Sequence, residues 1–522
     1  MIFGLLSKLL KAFLPTISTP ERHPLTVTDV PTDILDLVFE TLLDLEAAQQ
    51  PYGHELCNSA CLIPLSETCR YMRTVALPWI FREVYNWRRD GVDVWPDTLW
   101  RFFRTVHMRD RSVRHPSQIR LTPQVYCALP KMQALTKVTL RLHAAIPVEL
   151  LSTLSLVRGL SVLEIHQVRF DGPPPPDNLS FPSLSSLLIG ICGFQGVTRV
   201  PNIDHDFERH NVATLLRSLS HCLTRLHISG DLLSPQFCEL FWRKLQLFTV
   251  TEHTPTPFIP IPQLVAQMPA LQSLAVLFTA DLSRDRNDVF PPFRLGIMNG
   301  DLLTNLSPHL TSVSLSNMEH NDPIFGQLSS SLESLHLLPM RDLYTMEVPI
   351  PASLREVRFY DQDAFIVLEH ISHLDRLTDL SFTLIRHPPS PDLIRAIALK
   401  FPMLRCLQLG YFVRRQDDLY LVELRDAALF ESLRLVQHLR HLKLSLDIYW
   451  SSADRGPPAH AAYLLMQELP NLQTVSYRWR HYHTAAPDIW HTWDRSLLLH
   501  SPPPQLPKKI PEIELVRADT AD

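Results

Sequence analysis

The chain has 522 residues, of which 45% are hydrophobic and 20% charged, and its formal net charge is −5. A single globular core stops growing near ~250–300 residues, so this length predicts at least two domains or one elongated repeat array. The composition excludes wholesale disorder, and 14 glycines against 44 prolines disfavour a nucleotide enzyme built on glycine-rich phosphate loops. Since there is no basic surplus, nucleic acid is not an expected partner.

The first fourteen residues, MIFGLLSKLLKAFL, are apolar except for Lys8 and Lys11. A helix that spans a bilayer needs ~20 residues, and a secretory signal would place its charges before the apolar run. Residues 1–24 are therefore interpreted as an apolar leader and linker. A short amphipathic helix at 1–14 that contacts a membrane is the alternative.

A helical module is predicted at residues 25–87. Pro31 and Asp33 suit a helix start. Residues 44–61 then separate two helices as an insertion. The apolar positions of the two helical faces are Ile34, Leu35, Val38, Phe39, Leu42 and Leu43, and then Leu62, Leu65, Cys69, Met72 and Ala76. So small a module is expected to bury an apolar face on a partner or on the rest of the chain.

From residue 135 onward a six-residue frame, apolar-x-x-apolar-x-apolar, recurs with leucine in first place. The alternation at its end predicts a short strand with one buried face. Most of the shorter intervals lie within the 20–29 residues of a leucine-rich repeat. The thirteen frames begin at Leu135, Leu160, Leu184, Leu223, Leu245, Leu271, Leu310, Leu332, Leu354, Leu377, Leu404, Leu439 and Leu472.

Helices are predicted before the frames, because apolar residues recur there at spacings of three and four. Residues 147–154, 392–399 and 462–469 show this pattern best. Prolines then stand just before several frames, where a missing amide and a steric clash end a helix. These prolines are Pro130, Pro182, Pro269, Pro402 and Pro470.

Helix, proline stop and short strand together form one repeat unit, which cannot bury its own apolar face and must stack on its neighbours. The predicted fold class is α/β, a short all-helical module followed by a curved leucine-rich-repeat solenoid with parallel strands. Residues 88–134 are expected to connect the module to the solenoid and to cap it, 135–482 to form the solenoid, and 483–522 to form a C-terminal cap and proline-rich tail.

The segments VPTDILDLVFETLL and LIPLSETCRYMRTVALPWIFREV resemble an F-box, and the whole chain resembles a fungal-type F-box protein with leucine-rich repeats. Val30 and Pro31 match the Leu-Pro start of that motif. Its valine/cysteine/basic/x/tryptophan run is matched by Thr68, Cys69, Arg70 and Met72, and its terminal leucine-tryptophan pair by Ile80 and Phe81. Two departures are Met72, where tryptophan is common, and the insertion at 44–61, where the family has only a few residues.

The resemblance implies a substrate-recognition subunit of a Skp/cullin/F-box ubiquitin ligase. In that family the F-box binds the Skp adaptor, and through it a cullin, while the repeats bind a target protein. The alternative is a leucine-rich-repeat scaffold that binds a protein without recruiting a ligase. The implied adaptor-binding residues are Val30, Pro31, Ile34, Leu35, Val38, Phe39, Leu42, Leu62, Leu65, Cys69 and Met72.

Strand positions that flank the second and third anchors of each frame are expected to line the concave face, where a target would bind. Arginine and tyrosine are enriched at binding hot spots, which favours Arg358 and Tyr360. The alternative interpretation is that these exposed strand positions are polar only to keep the repeat array soluble. The candidate target-binding residues are Lys137, Arg141, His166, Arg225, His227, His336, Arg358, Tyr360, Lys443 and Arg478.

No nucleophile elbow, Walker loop, kinase set or zinc motif occurs, so a non-catalytic protein without a cofactor is expected. The eight cysteines are scattered without CxxC pairs, which indicates reduced thiols inside a cell, in the cytoplasm, the nucleus or both. Cys57, Cys61, Cys69 and His54 are a conceivable zinc set, but plain packing is the preferred interpretation and no metal site is predicted.

Overall fold

The protein is described from a computed structural model, in which two compact units, Met1–Asp285 and Arg286–Asp522, can be recognised. The described residues are 30–49, 60–86, 96–109, 123–142, 145–166, 169–170, 179–190, 205–252, 255, 258–278, 295–296, 306–316, 318–338, 361–371, 374–385, 390–412, 427–445, 457–479 and 489–499.

The first unit begins with a helical module of α1 (Thr32–Gln49), a 3₁₀ turn (Ala60–Leu62), α2 (Ile63–Ser66) and α3 (Arg70–Ile80). The Pro31 carbonyl accepts from the amides of Ile34 and Leu35, so α1 starts where predicted. At the start of α3 the Cys69 Sγ accepts from the Met72 amide at 3.4 Å and caps the helix. The first residues of the 44–61 insertion continue α1.

Eight strands follow the module in the first unit, and each pairs in parallel with the next. They are β1 (Glu83–Asn86), β2 (Thr105–Arg109), β3 (Lys137–Arg141), β4 (Val162–His166), β5 (Ser186–Ile189), β6 (Arg225–Ser229), β7 (Leu247–Glu252) and β8 (Ser273–Phe278). Between the strands lie α4 (Pro123–Ala128), α5 (Val148–Ser155), α6 (His205–Leu219) and α7 (Ile261–Val265). Parallel strands joined by helices are what the repeat unit predicts.

The second unit repeats this arrangement. Its strands are β9 (Ser312–Ser316), β10 (Ser334–Leu338), β11 (Asp379–Ile385), β12 (Cys406–Phe412), β13 (His441–Ser445), β14 (Thr474–Trp479) and β15 (Ile489–Asp494). Strands β9 to β14 pair in parallel, and β15 pairs antiparallel with β14. Its helices are α8 (Asp361–His370), α9 (Pro391–Lys400), α10 (Ala427–Arg434), α11 (Pro457–Glu468) and α12 (Arg495–Leu499).

The leucine frames account for the buried side of the strands. Twelve of the thirteen frame leucines lie in the described residues, and the least buried, Leu439, is only 3% exposed; Leu354 lies outside. In β3, Val138 and Leu140 are fully buried, and Leu163 and Ile165 repeat this in β4. Each repeat therefore adds three buried anchors, and the α/β leucine-rich-repeat fold class with parallel strands is confirmed.

Main-chain hydrogen bonds fix the register at the start of each repeat. The Arg104 carbonyl accepts from the amides of Thr136 at 2.9 Å and Lys137 at 3.0 Å, and the Thr136 carbonyl accepts in the same way from the next repeat. The Thr136 and Ser161 hydroxyls add a third bond to the carbonyls of Arg104 and Thr136, respectively. Hydroxyl-bearing residues at the second position of the frame thus donate an additional hydrogen bond to a main-chain carbonyl where these strands begin.

The parallel strands begin earlier than the leucine frames predict. Strand β1 pairs with β2, and β2 pairs with β3, although the residues of β1 and β2 were assigned to the end of the module and to a connector. Phe103, Val106 and Met108 fill the frame around β2 and are buried, with phenylalanine in the place of leucine.

The helical layer also differs in part from the prediction. The helices predicted at 147–154, 392–399 and 462–469 are present as α5, α9 and within α11. Before the frames at Leu245 and Leu332 the chain instead forms 3₁₀ turns, Pro235–Glu239 and Pro323–Gln327. Each turn has a proline at its first position, Pro235 or Pro323. Proline is tolerated in the first turn of a helix because the amide that it lacks has no partner there.

Candidate functional site

The helical module has its own hydrophobic core. Its buried residues are Val30, Leu35, Val38, Phe39, Leu42, Leu62, Leu65, Met72 and Ala76. The core is tied across the module by Trp79, whose Nε1 donates to Asp36 Oδ1 at 2.7 Å and whose ring meets Phe39 edge-on at 6.4 Å between centroids. The Tyr71 hydroxyl donates to the Val30 carbonyl at 3.3 Å. Helices α1 and α3 are therefore held together by packing and by hydrogen bonds.

The structure gives most of the implied adaptor-binding residues a packing role inside the module. Of the eleven, the eight that are buried are Val30, Leu35, Val38, Phe39, Leu42, Leu62, Leu65 and Met72. Pro31 and Cys69 are exposed, and Ile34 is half-buried. A side chain that is covered by its own module is not available to a partner in this conformation, so Pro31, Cys69 and Ile34 are the members of the set that present surface. Adaptor contact itself stays a prediction.

Two apolar side chains that the sequence prediction did not select are uncovered on the module. Leu37 on α1 is 42% exposed and Ile63 at the start of α2 is 45% exposed. Successive residues on a helix are ~100° apart, so Ile34, Leu37 and Thr41 form a stripe beside the buried stripe of α1. Leu37 and Ile63 are therefore apolar side chains of the module that its own core leaves uncovered.

On the first unit, a polar network lies on the strand face opposite the buried anchors. Glu164 in β4 is its centre: Lys137 Nζ lies 2.7 Å from Oε1, and the Thr139 hydroxyl donates to Oε2 at 2.9 Å. The His166 Nε2 lies 3.9 Å from Oε2, within range of electrostatic attraction. We call Lys137, Thr139, Glu164, His166 and His227 the polar face.

The surroundings of Glu164 and His227 on the polar face shift the pKa values of both side chains. Burial raises the pKa of the Glu164 carboxyl, but the interactions with His166, Lys137 and Thr139 outweigh it and lower the pKa to about 2. Burial lowers the pKa of His227 to about 4; nearby His166 lowers it further, whereas Glu164 acts in the opposite direction. At neutral pH this face therefore carries an ionised carboxylate beside a neutral imidazole, which is hydrogen-bonded to the Thr251 hydroxyl at 2.8 Å.

Replacing Glu164 with glutamine is expected to lower the free energy of unfolding by about 1–2 kcal/mol at pH 7, because charged hydrogen bonds are lost. Since the folded pKa lies below the ordinary 4.5, the ionised carboxylate stabilises the fold fully above pH ~4.5 and progressively less as the pH falls toward 2. The difference between wild type and variant, measured by urea denaturation, should shrink over that range. A constant difference from pH 7 to pH 2.5, or one no larger than that of exposed Glu239→Gln, would contradict it.

The second unit carries a different set of polar strand residues. The His336 Nε2 and the Ser334 hydroxyl are 2.8 Å apart, and the His441 Nδ1 lies 2.9 Å from the Thr474 hydroxyl. Burial raises the pKa of the Cys406 thiol to about 11; Asp379 adds to this, and Lys443 opposes it. Burial likewise raises the pKa values of the Cys222 and Cys238 thiols, so none of the three is a thiolate nucleophile at neutral pH.

The described candidate target-binding residues are divided between the two units. Lys137 and Arg141 lie in β3 and His166 in the adjacent β4, whereas His227 lies in β6, separated from β4 by β5. Arg225 is exposed at the start of β6. His336 and Lys443 lie in the second unit. Arg358 and Tyr360 lie outside the described residues, as does the side chain of Arg478. Glu164, which holds the polar face together, was not selected although it occupies the same frame position as Thr139 and His227.

The described residues were also compared with the requirements of metal sites, disulfides and membrane-spanning helices. Nowhere in them are three His, Cys, Asp or Glu side chains grouped so that they could hold a metal ion. Cys61 and Cys69 carry thiols rather than disulfides there, while His54 and Cys57 lie outside. None of the described helices has the length and apolarity needed to cross a bilayer, and residues 1–14 are not among them.

No protein-family model matches the chain, and no curated protein matches it. Among solved structures it is similar to the leucine-rich repeat-containing protein LegL7 from Legionella pneumophila, at 11% identity and a TM-score of 0.34, over 68% of this chain and 97% of that one. It is also similar to human 5T4 (Wnt-activated inhibitory factor 1, trophoblast glycoprotein), at 15% identity and 0.26, over 61% and 82%. A third similarity is to the yeast complex of Rad7 and Elc1, at 15% identity and a TM-score of 0.31, over 80% of this chain and 96% of that one. It is the chain's own ladder of parallel strands and buried leucines that makes its fold a leucine-rich-repeat fold.

Proposed function

We propose that the chain is the substrate-recognition subunit of a Skp/cullin/F-box ubiquitin ligase. In this proposal the helical module binds a Skp-type adaptor and, through it, a cullin, while the leucine-rich repeats bind a target protein. Such a subunit would act in the cytoplasm, the nucleus or both. The observation that carries the proposal is a module that completes its own core and still leaves Leu37 and Ile63 exposed.

Exposed leucine and isoleucine side chains are unfavourably hydrated, and a partner that buries them gains free energy from removing them from water. Each large aliphatic side chain gains ~1.5–3 kcal/mol when it passes from full exposure to full burial. Leu37 and Ile63 are already about half-covered, so roughly half of that gain remains for a partner. Pro31 and Pro64 are also exposed, and their rings restrict the backbone at these two points of the module.

The polar face supports the second part of the proposal, binding of a target protein. Side chains that are already held by hydrogen bonds lose little entropy when a partner docks on them. Fixed charges on such a surface also select among partners and steer encounter. Glu164 and Lys137 meet both conditions, because their mutual contact is made before any partner arrives.

One observation favours a second candidate, a leucine-rich-repeat scaffold without ligase recruitment. Met72 stands where tryptophan is common in an F-box, and it is 3% exposed inside the module core. A module whose motif residues serve mainly its own packing could simply cover the end of a repeat array, since such arrays need capping elements.

Affinity capture with a Skp-type adaptor separates the two candidates. We expect the tagged full-length chain to retain the adaptor, and the double substitution Leu37→Asp with Ile63→Asp to reduce retention at least tenfold, because two charges would enter an apolar interface. Both positions are exposed, so the fold should survive, which circular dichroism can verify.

The matched control is Leu156→Asp, which places the same charge on a leucine that is 64% exposed in the repeats. It should leave adaptor retention unchanged. Equal retention by the double variant and the control, or no retention by the wild-type chain, would remove the ligase proposal and leave the scaffold.

A further inference from the structure

The second unit contains a polar pocket that none of the preceding sites uses. Its volume is about 450 Å³, which lies within the ~300–1,000 Å³ of protein ligand sites. It is formed by the turns before β13 and β14 together with the first residue of α12. The lining residues are Gln437, His438, Arg440, Pro470, Asn471, Leu472, Gln473 and Arg495.

Hydrogen bonds between its walls hold the pocket in shape. Asn471 Nδ2 donates to the Gln437 carbonyl at 2.9 Å and joins the two turns. Arg495 Nη1 donates to the carbonyls of Met466 at 2.6 Å and Leu469 at 3.1 Å, at the end of α11. The Arg440 carbonyl accepts from the Gln473 amide at 2.7 Å. The side chains around the opening are therefore presented by a fixed frame.

The lining is rich in hydrogen-bond donors and contains no carboxylate among its eight residues. Arg440 and Arg495 supply two guanidinium groups, and His438 adds an imidazole. Two acidic residues lie close by in sequence: the Asp494 carboxylate accepts from the Ser496 amide at 2.8 Å and from its hydroxyl, and Glu468 is bonded to Arg434 Nη2. Guanidinium groups bind carboxylates and phosphates through two parallel hydrogen bonds, so the pocket is complementary to such an anion.

We propose that this pocket binds a carboxylate-rich segment of a protein partner, with Arg440 as the main contact. Pockets for drug-sized molecules are lined mostly by apolar and aromatic groups, whereas only Pro470 and Leu472 are apolar here and Leu472 is buried. An extended acidic segment needs donors at a solvent-open edge, which is what Arg440, His438 and Gln473 offer, since all three are exposed. The site does not depend on adaptor binding by the module.

Fluorescence anisotropy with the full-length chain tests this site. The probe is a labelled hexaglutamate peptide with blocked ends, compared with hexaglutamine and with inorganic phosphate as a competitor. We expect saturable binding of hexaglutamate, none of hexaglutamine, and at least tenfold weaker binding by Arg440→Glu. The matched control, Arg376→Glu, changes the same charge on an exposed arginine of the second unit outside the pocket and should bind like wild type.

Three results would overturn the proposal. The first is no hexaglutamate binding at 1 mM by a wild-type chain that melts cooperatively. The second is equal weakening by Arg440→Glu and Arg376→Glu, which would show a general charge effect. The third is complete displacement of the peptide by equimolar phosphate, which would make the pocket an inorganic-anion site. Loss of adaptor retention with intact hexaglutamate binding would contradict only the ligase proposal.

Discussion

Replacing Gly296 with alanine is expected to destabilise the second unit by about 3 kcal/mol, near the upper end of overpacking costs. An added Cβ would lie 2.4 Å from the Ile324 amide nitrogen and 2.8 Å from the Pro323 carbonyl carbon. Both are main-chain atoms, so a side-chain rotation cannot relieve the clash. We expect a lower denaturation midpoint in urea and faster amide exchange around Pro323–Gln327.

Asp322 explains why the chain cannot move away from Gly296. Its carboxylate is fully buried and accepts from the amides of Leu295 at 2.5 Å, Gly296 at 2.9 Å and Ile324 at 2.8 Å. These bonds hold residues 295–296 against the 3₁₀ turn, and separating them would leave buried amides unpaired, at ~1–3 kcal/mol each.

Gly326→Ala is the matched control for this prediction. Gly326 lies in the same turn, is exposed, and would bring a Cβ no nearer than 4.0 Å to the His370 carbonyl oxygen. We expect less than ~0.5 kcal/mol from it. Equal stability of the two variants would mean that the contact between residues 295–296 and the turn is not maintained in solution.

Replacing Phe39 with alanine is expected to unfold the helical module, at a cost of ~3–5 kcal/mol. Phe39 is fully buried, and its ring packs edge-on against Trp79, which in turn bonds Asp36. A helical module of this size has little stability to spare. Amide exchange along α1 and α3 should therefore rise strongly while the strands of the repeats stay protected.

Leu37→Ala serves as the control, because it removes an apolar side chain two residues away on the exposed side of α1. It should leave amide exchange in the module unchanged within ~0.5 kcal/mol. If Phe39→Ala also left exchange unchanged, or if the two variants behaved alike, the assignment of Phe39 to the core of the module would be wrong.

The fold could be predicted well because its signal is repeated. A buried leucine recurs at the same frame position, and strand periodicity follows from sterics alone. Strands β1 and β2 were missed because the frame around β2 starts with Phe103, so a pattern defined by leucine passes over it. The role of Asp322 could not be foreseen in full either, since two of its three partners are the amides of residues 295 and 296, which are distant in sequence.

The candidate sites were harder to predict. Helical periodicity shows that Phe39 and Leu42 are buried, but it does not show whether the covering surface is the module itself or a partner. Leu37 directly precedes Val38 and lies outside the periodic set of buried positions, so periodicity gave no indication that its side chain forms an exposed apolar surface. The frame placed Lys137 and His227 on one strand face. The contact between Lys137 and Glu164, however, joins two neighbouring strands, and no single repeat contains it.

Titration of the purified full-length chain with a purified Skp-type adaptor, followed by calorimetry, tests the central claim most directly. We expect saturable binding of one adaptor per chain that the double substitution Leu37→Asp with Ile63→Asp abolishes. A wild-type chain that folds cooperatively but gives no binding heat, and does not co-elute with the adaptor at micromolar concentration, would contradict it.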